Sequence, residues 1–395
     1  MKKRFFLICI LIIFLLSVTA FSACDNGRKG PPDGEESTVN VLEGGRLNDS
    51  SLIYWIGRRE YSAQDKAVYI YYTATGFTVK FTGTKLEVTF KADNTSSSKN
   101  RPYFVAMCDG QTAQQGFAFC LTEENQTVTV ADTLKNGTHT VTVQKRSEPE
   151  NSLTAITAIK TDGEFKTPPK HTGLKFQILG GSGISGHGCL GKPNEGWTTE
   201  NSSSLQGFGY LAAQKFGAET QFVSNSGMGL VWGYRNVAPL TKAYESVGLI
   251  AEYGGNGSTK AVKAHGEWNH LSWTPDVVII NIGGNDWNAH ISGLTGAART
   301  AAEKEFKQAV VSLLDRIHGL YPQAKIVWTC NSIRSGNGAL ANEAISALEY
   351  KSAVKAVSVS DVKDGADNHA SAATQAENAQ TVVDAITSAF GIAQI

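Results

Sequence analysis

The chain has 395 residues, with 36 Lys plus Arg against 36 Asp plus Glu, 41% apolar residues and 18% charged ones. It is too long for one typical core and too apolar and charge-balanced for a disordered chain, so two domains are expected. All charge in residues 1–23 is positive (Lys2, Lys3, Arg4), which leaves 33 positives against 36 negatives from Cys24 onward, net minus three, and argues against a nucleic-acid partner.

Residues 1–23 read as a signal peptide, because a short basic start precedes the apolar run Phe5 to Leu16 and then small residues. That run is too short for a comfortable membrane span. Phe21-Ser22-Ala23-Cys24 looks like the end of a bacterial lipoprotein signal, which would make Cys24 the lipidated N-terminus. Plain secretion with cleavage after Val18-Thr19-Ala20 is the alternative, and either reading puts the working protein outside the cytoplasm. Residues 24–38 have almost no apolar content and read as a flexible tether, so any membrane association is expected through a lipid anchor at Cys24 alone.

From residue 39 to 165 the pattern alternates with period two. Phe77, Val79 and Phe81, a Gly83 turn, then Leu86, Val88 and Phe90 predict a hairpin. Further strands are expected at Tyr103 to Met107, Gly116 to Leu121, Thr127 to Val130 and Thr138 to Gln144, giving a small, jelly-roll-like β-sandwich. Cys108 and Cys120 flank an Asp109-Gly110 turn signal and are open to two readings, a disulfide or two buried thiols. No cysteine pair has zinc-ligand spacing, so no metal site is expected.

Residues 166–171, with Pro168-Pro169, break both periodicities and read as a linker. Over 172–395 strands and helices alternate, which implies a parallel sheet. Lys175 to Leu179 is the first strand, Leu205 to Phe216 a helix, and the uniformly apolar Asp276 to Ile282 a central strand covered on both faces. Phe306, Val310, Leu313 and Ile317 form one helix face, Ile326 to Thr329 and Val354 to Val359 two more strands, and Thr381 to Phe390 a closing helix. In such sheets the site lies at the carboxyl ends of strands.

Four strand ends carry chemistry. Gly181-x-Gly183-x-x-Gly186 matches a dinucleotide fingerprint, but the expected acid at the second strand tip is replaced by Ser224-Asn225-Ser226, so no cofactor is expected. The other reading makes Ser182 a nucleophile at a strand-to-helix corner, with Gly227 and the Asn285 amide as oxyanion donors and His369 as base. Trp287 is a candidate wall for a sugar ring or a packing residue; Trp197, Trp232, Tyr234 and His187 are weaker candidates, and His187, His265, His270 and His290 read as surface or hydrogen-bonded histidines.

The order of these blocks resembles the SGNH hydrolases, and with the sandwich in front it resembles the family 2 carbohydrate esterases. Phe81-Thr82-Gly83-Thr84, Gly137 to Val141 with Lys145-Arg146, Thr199-Glu200-Asn201, Trp268 and Trp273 before Pro275 to Val278, and Asp364 to Ser371 agree with that resemblance. It implies a flavodoxin-like α/β/α hydrolase domain. It also implies Ser182 as nucleophile, His369 as base, and Ser182, Gly227 and Asn285 around the oxyanion, with acetylated xylan or glucomannan as substrate.

Three departures bear on mechanism. Gly181 stands where most SGNH hydrolases have Asp, Ala370 where a Pro is familiar, and Ala366 where an orienting Asp is common. Family 2 esterases are described as using a Ser-His dyad, so His369 is expected to be oriented by a backbone carbonyl or another neighbour. A catalytically degenerate domain acting as a carbohydrate-binding surface lipoprotein is the alternative function. A lipase is disfavoured because Ile184 ends the would-be Gly-x-Ser-x-Gly elbow.

Overall fold

The computed structural model describes residues 39–234, 236–253 and 259–395. The leader, Cys24 and the tether lie outside the described residues. Within them no helix is long and apolar enough to cross a membrane.

Among the described residues, twelve strands precede Pro168-Pro169. They are β1 (Val41–Glu43), β2 (Tyr54–Ile56), β3 (Arg59–Ser62), β4 (Ala67–Ile70), β5 (Gly76–Gly83), β6 (Leu86–Ala92), β7 (Tyr103–Cys108), β8 (Phe117–Cys120), β9 (Asn125–Ala131), β10 (Gly137–Lys145), β11 (Thr154–Thr161) and β12 (Glu164–Lys166). One sheet runs β3-β4-β11-β6-β9 with β1 on β11, the other β12-β5-β10-β7-β8 with β2 on β5. Their inner faces share one core, in which Phe90 of the first sheet meets Phe104 of the second with ring centroids 4.7 Å apart. Burying each such ring contributes roughly 1.5–3 kcal/mol.

The expected hairpin at Gly83 is an arch instead. β5 pairs with β10, β12 and β2, whereas β6 pairs with β11 and β9, so the turn carries the chain from one sheet to the other. Alternation only says that Phe77, Val79, Phe81, Leu86, Val88 and Phe90 face a core, and an arch satisfies that as well as a hairpin does. Gly83 sits at φ +134°, and the carboxylate of Asp162 accepts from the backbone N–H groups of Thr84 (2.8 Å) and Lys85 (3.0 Å). The register also decides the cysteines. Cys120 lies opposite Tyr103 at the far end of β7 from Cys108, too distant for a disulfide, and both thiols are free.

Beyond the linker lie β13 (Lys175–Gly180), α1 (Ser182–Ser185), α2 (Phe208–Lys215), β14 (Glu219–Ser224), α3 (Leu240–Tyr244), β15 (Gly248–Tyr253), β16 (Thr259–His265) and β17 (Val277–Asn281). Then follow α4 (Gly284–Ala289), α5 (Gly296–Leu320), β18 (Lys325–Cys330), α6 (Gly336–Ser346), β19 (Val354–Ser358) and α7 (Ala372–Phe390). The sheet order β14-β13-β17-β18-β19 is parallel throughout, the 2-1-3-4-5 order of flavodoxin-like sheets. Val277 to Ile280 are fully buried in its centre. α2 packs on α7 and α5 on α6.

The helix expected over Leu205 to Phe216 is broken at Gly207, which is extended because α1 crosses there; a Cβ on Gly207 would lie 2.7 Å from Ile184 O. The closing helix starts earlier than Thr381, since Ser371 caps it by accepting from Thr374 N–H. The antiparallel hairpin β15–β16 was not anticipated, as it is an insertion outside the strand–helix rhythm.

The halves are joined through buried polar contacts. Arg58, fully buried, donates to Gln221 Oε1 (3.1 Å), Tyr244 O (2.7 Å) and Ser246 O (2.7 Å).

Candidate active site

β13 ends at Gly180, where the chain turns sharply. Gly180 has φ +153°, and a Cβ there would meet Asn281 O at 2.1 Å. The corner is bonded on both sides: Gly181 N–H donates to Asn281 O (3.1 Å), and Gly181 O accepts from Ser185 N–H (3.2 Å) and Ser185 Oγ (3.0 Å). Gln375 of α7 adds a bond to Gly183 O (3.2 Å). A Cβ on Gly181 would lie 3.3 Å from both Asn285 Nδ2 and Met228 O, so a carboxylate at this place would press on the Asn285 block.

The fingerprint glycines serve packing. Gly186, at φ +67°, ends α1 after one turn, and a Cβ there would meet Ser203 O at 2.0 Å. No long helix begins at this loop to receive a pyrophosphate, which removes the dinucleotide reading.

Ser182 and His369, 187 residues apart, are brought together with Ser182 Oγ 2.8 Å from His369 Nε2. His369 Nδ1 lies 2.7 Å from the carbonyl oxygen of Asp367, a backbone acceptor that fixes the ring. Burial first, and the charge of nearby His187 second, push the His369 pKa down to about 4, so the ring is neutral and able to take a proton at neutral pH. Ser182, Gly227, Asn285 and His369 line one cavity of about 430 Å³ with Asn281, Asn331, Asp361 and Lys363. The Asn285 side-chain amide donates to Met228 O (2.7 Å), which ties the third strand end to the second and leaves its other N–H for a ligand.

Trp287 is not among the residues that line this cavity. It is half-buried against Gly336 and the Arg299 guanidinium, which lies 4.9 Å from its ring centroid. Tyr234 is the lining aromatic. Trp232 stacks on His290 at 4.4 Å and Trp197 on His187 at 5.1 Å.

Sequence reasoning passed over two groups and gave a third only a minor place. Asp286, fully buried, accepts from the N–H groups of Leu230, Val231 and Trp232 at 2.7–2.8 Å and so positions the loop after Gly229. Glu148 of the β10–β11 loop reaches Ser226 from the sandwich. His187, among the weaker candidates, is buried between Glu148 and Asp367. None has a local motif; only Glu148-Pro149-Glu150 after a strand was visible as an acidic pair.

Among the described residues, two groups bring three ligand-type atoms within 4.8 Å of one another, Cys108–Asp109–His139 and His187–Asp367–His369. In the first, His139 is already bonded through Nδ1 to Asp109 and through Nε2 to Lys135 O. In the second, both rings are committed to hydrogen bonds within the protein. Neither is built as a metal centre.

The parallel 2-1-3-4-5 sheet brings the Ser, Gly, Asn and His blocks together at its carboxyl edge, the arrangement that the resemblance to the SGNH hydrolases implies. Residues 55–169 match the family model described as carbohydrate esterase 2 N-terminal. The chain is 25% identical over 264 residues to the cellulase/esterase CelE of Acetivibrio thermocellus, covering 66% of this chain and 29% of that protein. It is 27% identical over 221 residues to an acetylxylan esterase / glucomannan deacetylase of Cellvibrio japonicus, covering 55% and 56%. The chain thus spans little more than half, or less, of the length of these curated relatives.

Among solved structures, an acetyl xylan esterase from the rumen bacterium Butyrivibrio proteoclasticus superposes with a TM-score of 0.73 at 20% identity, covering 90% of this chain and all of that one. A family two carbohydrate esterase from Cellvibrio japonicus gives 0.72 at 20% identity, covering 88% and 97%. In the sequence of its sandwich and in the fold of both halves, the chain resembles the family 2 carbohydrate esterases.

Proposed function

We propose that the chain is an exported serine esterase that removes O-acetyl groups from plant cell-wall polysaccharide such as xylan or glucomannan. The observation that carries the reading is the 2.8 Å contact of Ser182 Oγ with a His369 ring held neutral.

In this reading His369 Nε2 takes the Ser182 proton as Oγ attacks the acetyl carbonyl, and the imidazolium is steadied at Nδ1 by Asp367 O. The oxyanion is met by Ser182 N–H, Gly227 N–H and the Asn285 amide. The sugar oxygen leaves with the proton from His369, giving a free hydroxyl and acetyl-Ser182. A water that gives its proton to His369 then releases acetate and restores Ser182. The curated relatives named for acetylxylan esterase and glucomannan deacetylase activity support the substrate class, as does a family two structure in complex with cellohexaose. We further propose the division into a sandwich over 39–165, a linker at 166–171 and a hydrolase domain over 172–395, and anchoring through a lipid on Cys24.

Acetate release from acetylated xylan and glucomannan by the full chain, with Ser182→Ala beside it, tests the activity. Turnover that collapses in the variant supports the esterase and its nucleophile. No release by folded wild type would leave a carbohydrate-binding protein with a degenerate site.

A further inference from the structure

The β10–β11 loop of the sandwich carries a carboxylate into the other half of the molecule. Glu148 is 2% exposed, and its oxygens face donors only: Ser226 N–H, Ser226 Oγ at 2.7 Å and His187 Nδ1 at 3.3 Å. His187 is equally buried. Its Nδ1 lies 2.8 Å from Ser226 Oγ and its Nε2 3.0 Å from Asp367 Oδ2. The single hydroxyl hydrogen of Ser226 goes to Glu148, so towards His187 its oxygen accepts. Both ring nitrogens therefore face acceptors, which an imidazole satisfies by carrying two protons. Burial opposes that charge, yet Asp367 and Glu148 hold the His187 pKa above the usual histidine value.

Asp367 is the residue whose carbonyl orients His369. It and Asn368 sit at φ +50° and +56°, a left-handed pair that non-glycine residues rarely adopt. Its N–H donates to Glu195 O (2.9 Å), and its side chain is gripped by His187. The His187 ring is itself clamped flat against Trp197, with an interplanar angle of 3°.

We propose that Glu148, protonated His187 and Asp367 form a charged strut, anchored in the sandwich, that positions the His369 base through the Asp367 carbonyl and the Gly227 block through Ser226. The strut deepens, and rests on, the esterase reading of Ser182 and His369. Glu148, His187 and Asp367 are positioning residues: none touches the reacting atoms, and the sandwich becomes part of the catalytic apparatus rather than an appended module.

The strut also sets a pH dependence. The groups facing His369 are His187, Asp367 and Lys363; those facing His187 are Glu148, Glu150, Asp367 and His369, with Lys99 beyond the Trp197 ring. The positive charge on His187, whose ring centroid is 4.5 Å from that of His369, disfavours protonation of the base. Removing that charge raises the His369 pKa, so the acidic limb of kcat/KM moves to higher pH.

The test is hydrolysis of a small acetyl ester by the full chain from about pH 3.5 to 8, in wild type, Glu148→Gln, His187→Gln, Asp367→Asn and Asp367→Ala. The expected result for Glu148→Gln and His187→Gln is a kcat lower by about 10- to 100-fold with KM within a few-fold. In His187→Gln the acidic limb is expected to rise by about one pH unit. Asp367→Asn, which keeps an acceptor and tolerates the left-handed backbone, retains more kcat than Asp367→Ala. Ring ¹⁵N shifts report two protons on His187 at neutral pH whatever the substrate, and settle the strut even if a variant fails to fold. A neutral His187 ring, or folded Glu148→Gln and His187→Gln with wild-type kcat and an unmoved acidic limb, would overturn the strut. Wild type inactive on every acetyl ester would sink the esterase reading instead.

Discussion

In the proposed esterase the base for Ser182 is His369, held by a backbone carbonyl rather than a carboxylate, and the charge state of that ring predicts a broad acidic range. With its pKa near 4, His369 stays unprotonated well below neutrality, so kcat/KM is expected to hold through pH 5–6 and fall only near pH 4, as a pH–rate profile would show. Ser182→Ala should lower kcat on the order of 10,000-fold or more. In the same reading Asn285→Ala removes one oxyanion donor and is expected to cost about 100- to 1000-fold in kcat with little change in KM. A loss mainly in KM would move Asn285 from the oxyanion to ground-state binding.

The short turns between elements are where local bonding decides geometry. α4 opens the third block, and its Asp286 bonds three successive backbone N–H groups of the 230–232 loop from a buried position. Burial raises the Asp286 pKa, and the backbone N–H groups of Trp232, Val231 and Leu230 pull against that rise. Asp286→Ala would strand those donors, an expected loss of about 2–4 kcal/mol read from the denaturant midpoint at constant m-value. At the arch, Asp162 is bonded by Thr84 side chain and backbone, which hold its pKa down to about 2. A depressed carboxylate stabilises above its unfolded pKa and loses that contribution as pH falls through about 2, so wild type minus Asp162→Asn should shrink below about pH 4.

Across the molecule, the two halves share buried polar groups that neither can satisfy alone. Arg58 from the sandwich serves three acceptors in the α/β half, and Tyr72 donates to Ala243 O (3.1 Å). Arg58→Ala leaves a void and takes the Arg58 donor from Tyr244 O and Ser246 O, while Gln221 Oε1 keeps its bond from Gln177 Nε2 (3.0 Å), an expected cost of about 3–5 kcal/mol in thermal or chemical unfolding. The same contacts predict one cooperative transition for the described chain. Residues 172–395 expressed alone should be poorly folded and inactive, because the faces that Arg58, Tyr72 and Glu148 cover would be open; a stable, active fragment would contradict this coupling.

How much was legible in advance divides along the range of the interactions. Core faces, the change from period two to strand–helix alternation near residue 170, and the four blocks at strand ends are local patterns, and burial and backbone turns enforce them locally. The block order was readable because a parallel sheet collects successive strand ends at one edge, which is how Ser182 and His369 meet across 187 positions. The arch at Gly83, the separation of Cys108 from Cys120 and the contact of Trp287 with Arg299 were not readable, since each depends on which strand or helix becomes the neighbour. Glu148, His187 and Asp367 lie on three loops far apart in the chain, and no single stretch signals their contact. The sequence by itself determined the types of element and the chemistry offered at the strand ends. Only the tertiary structure decided the acceptor for His369 and the charged neighbours that tune it, because those contacts arise where loops from both halves close on one another.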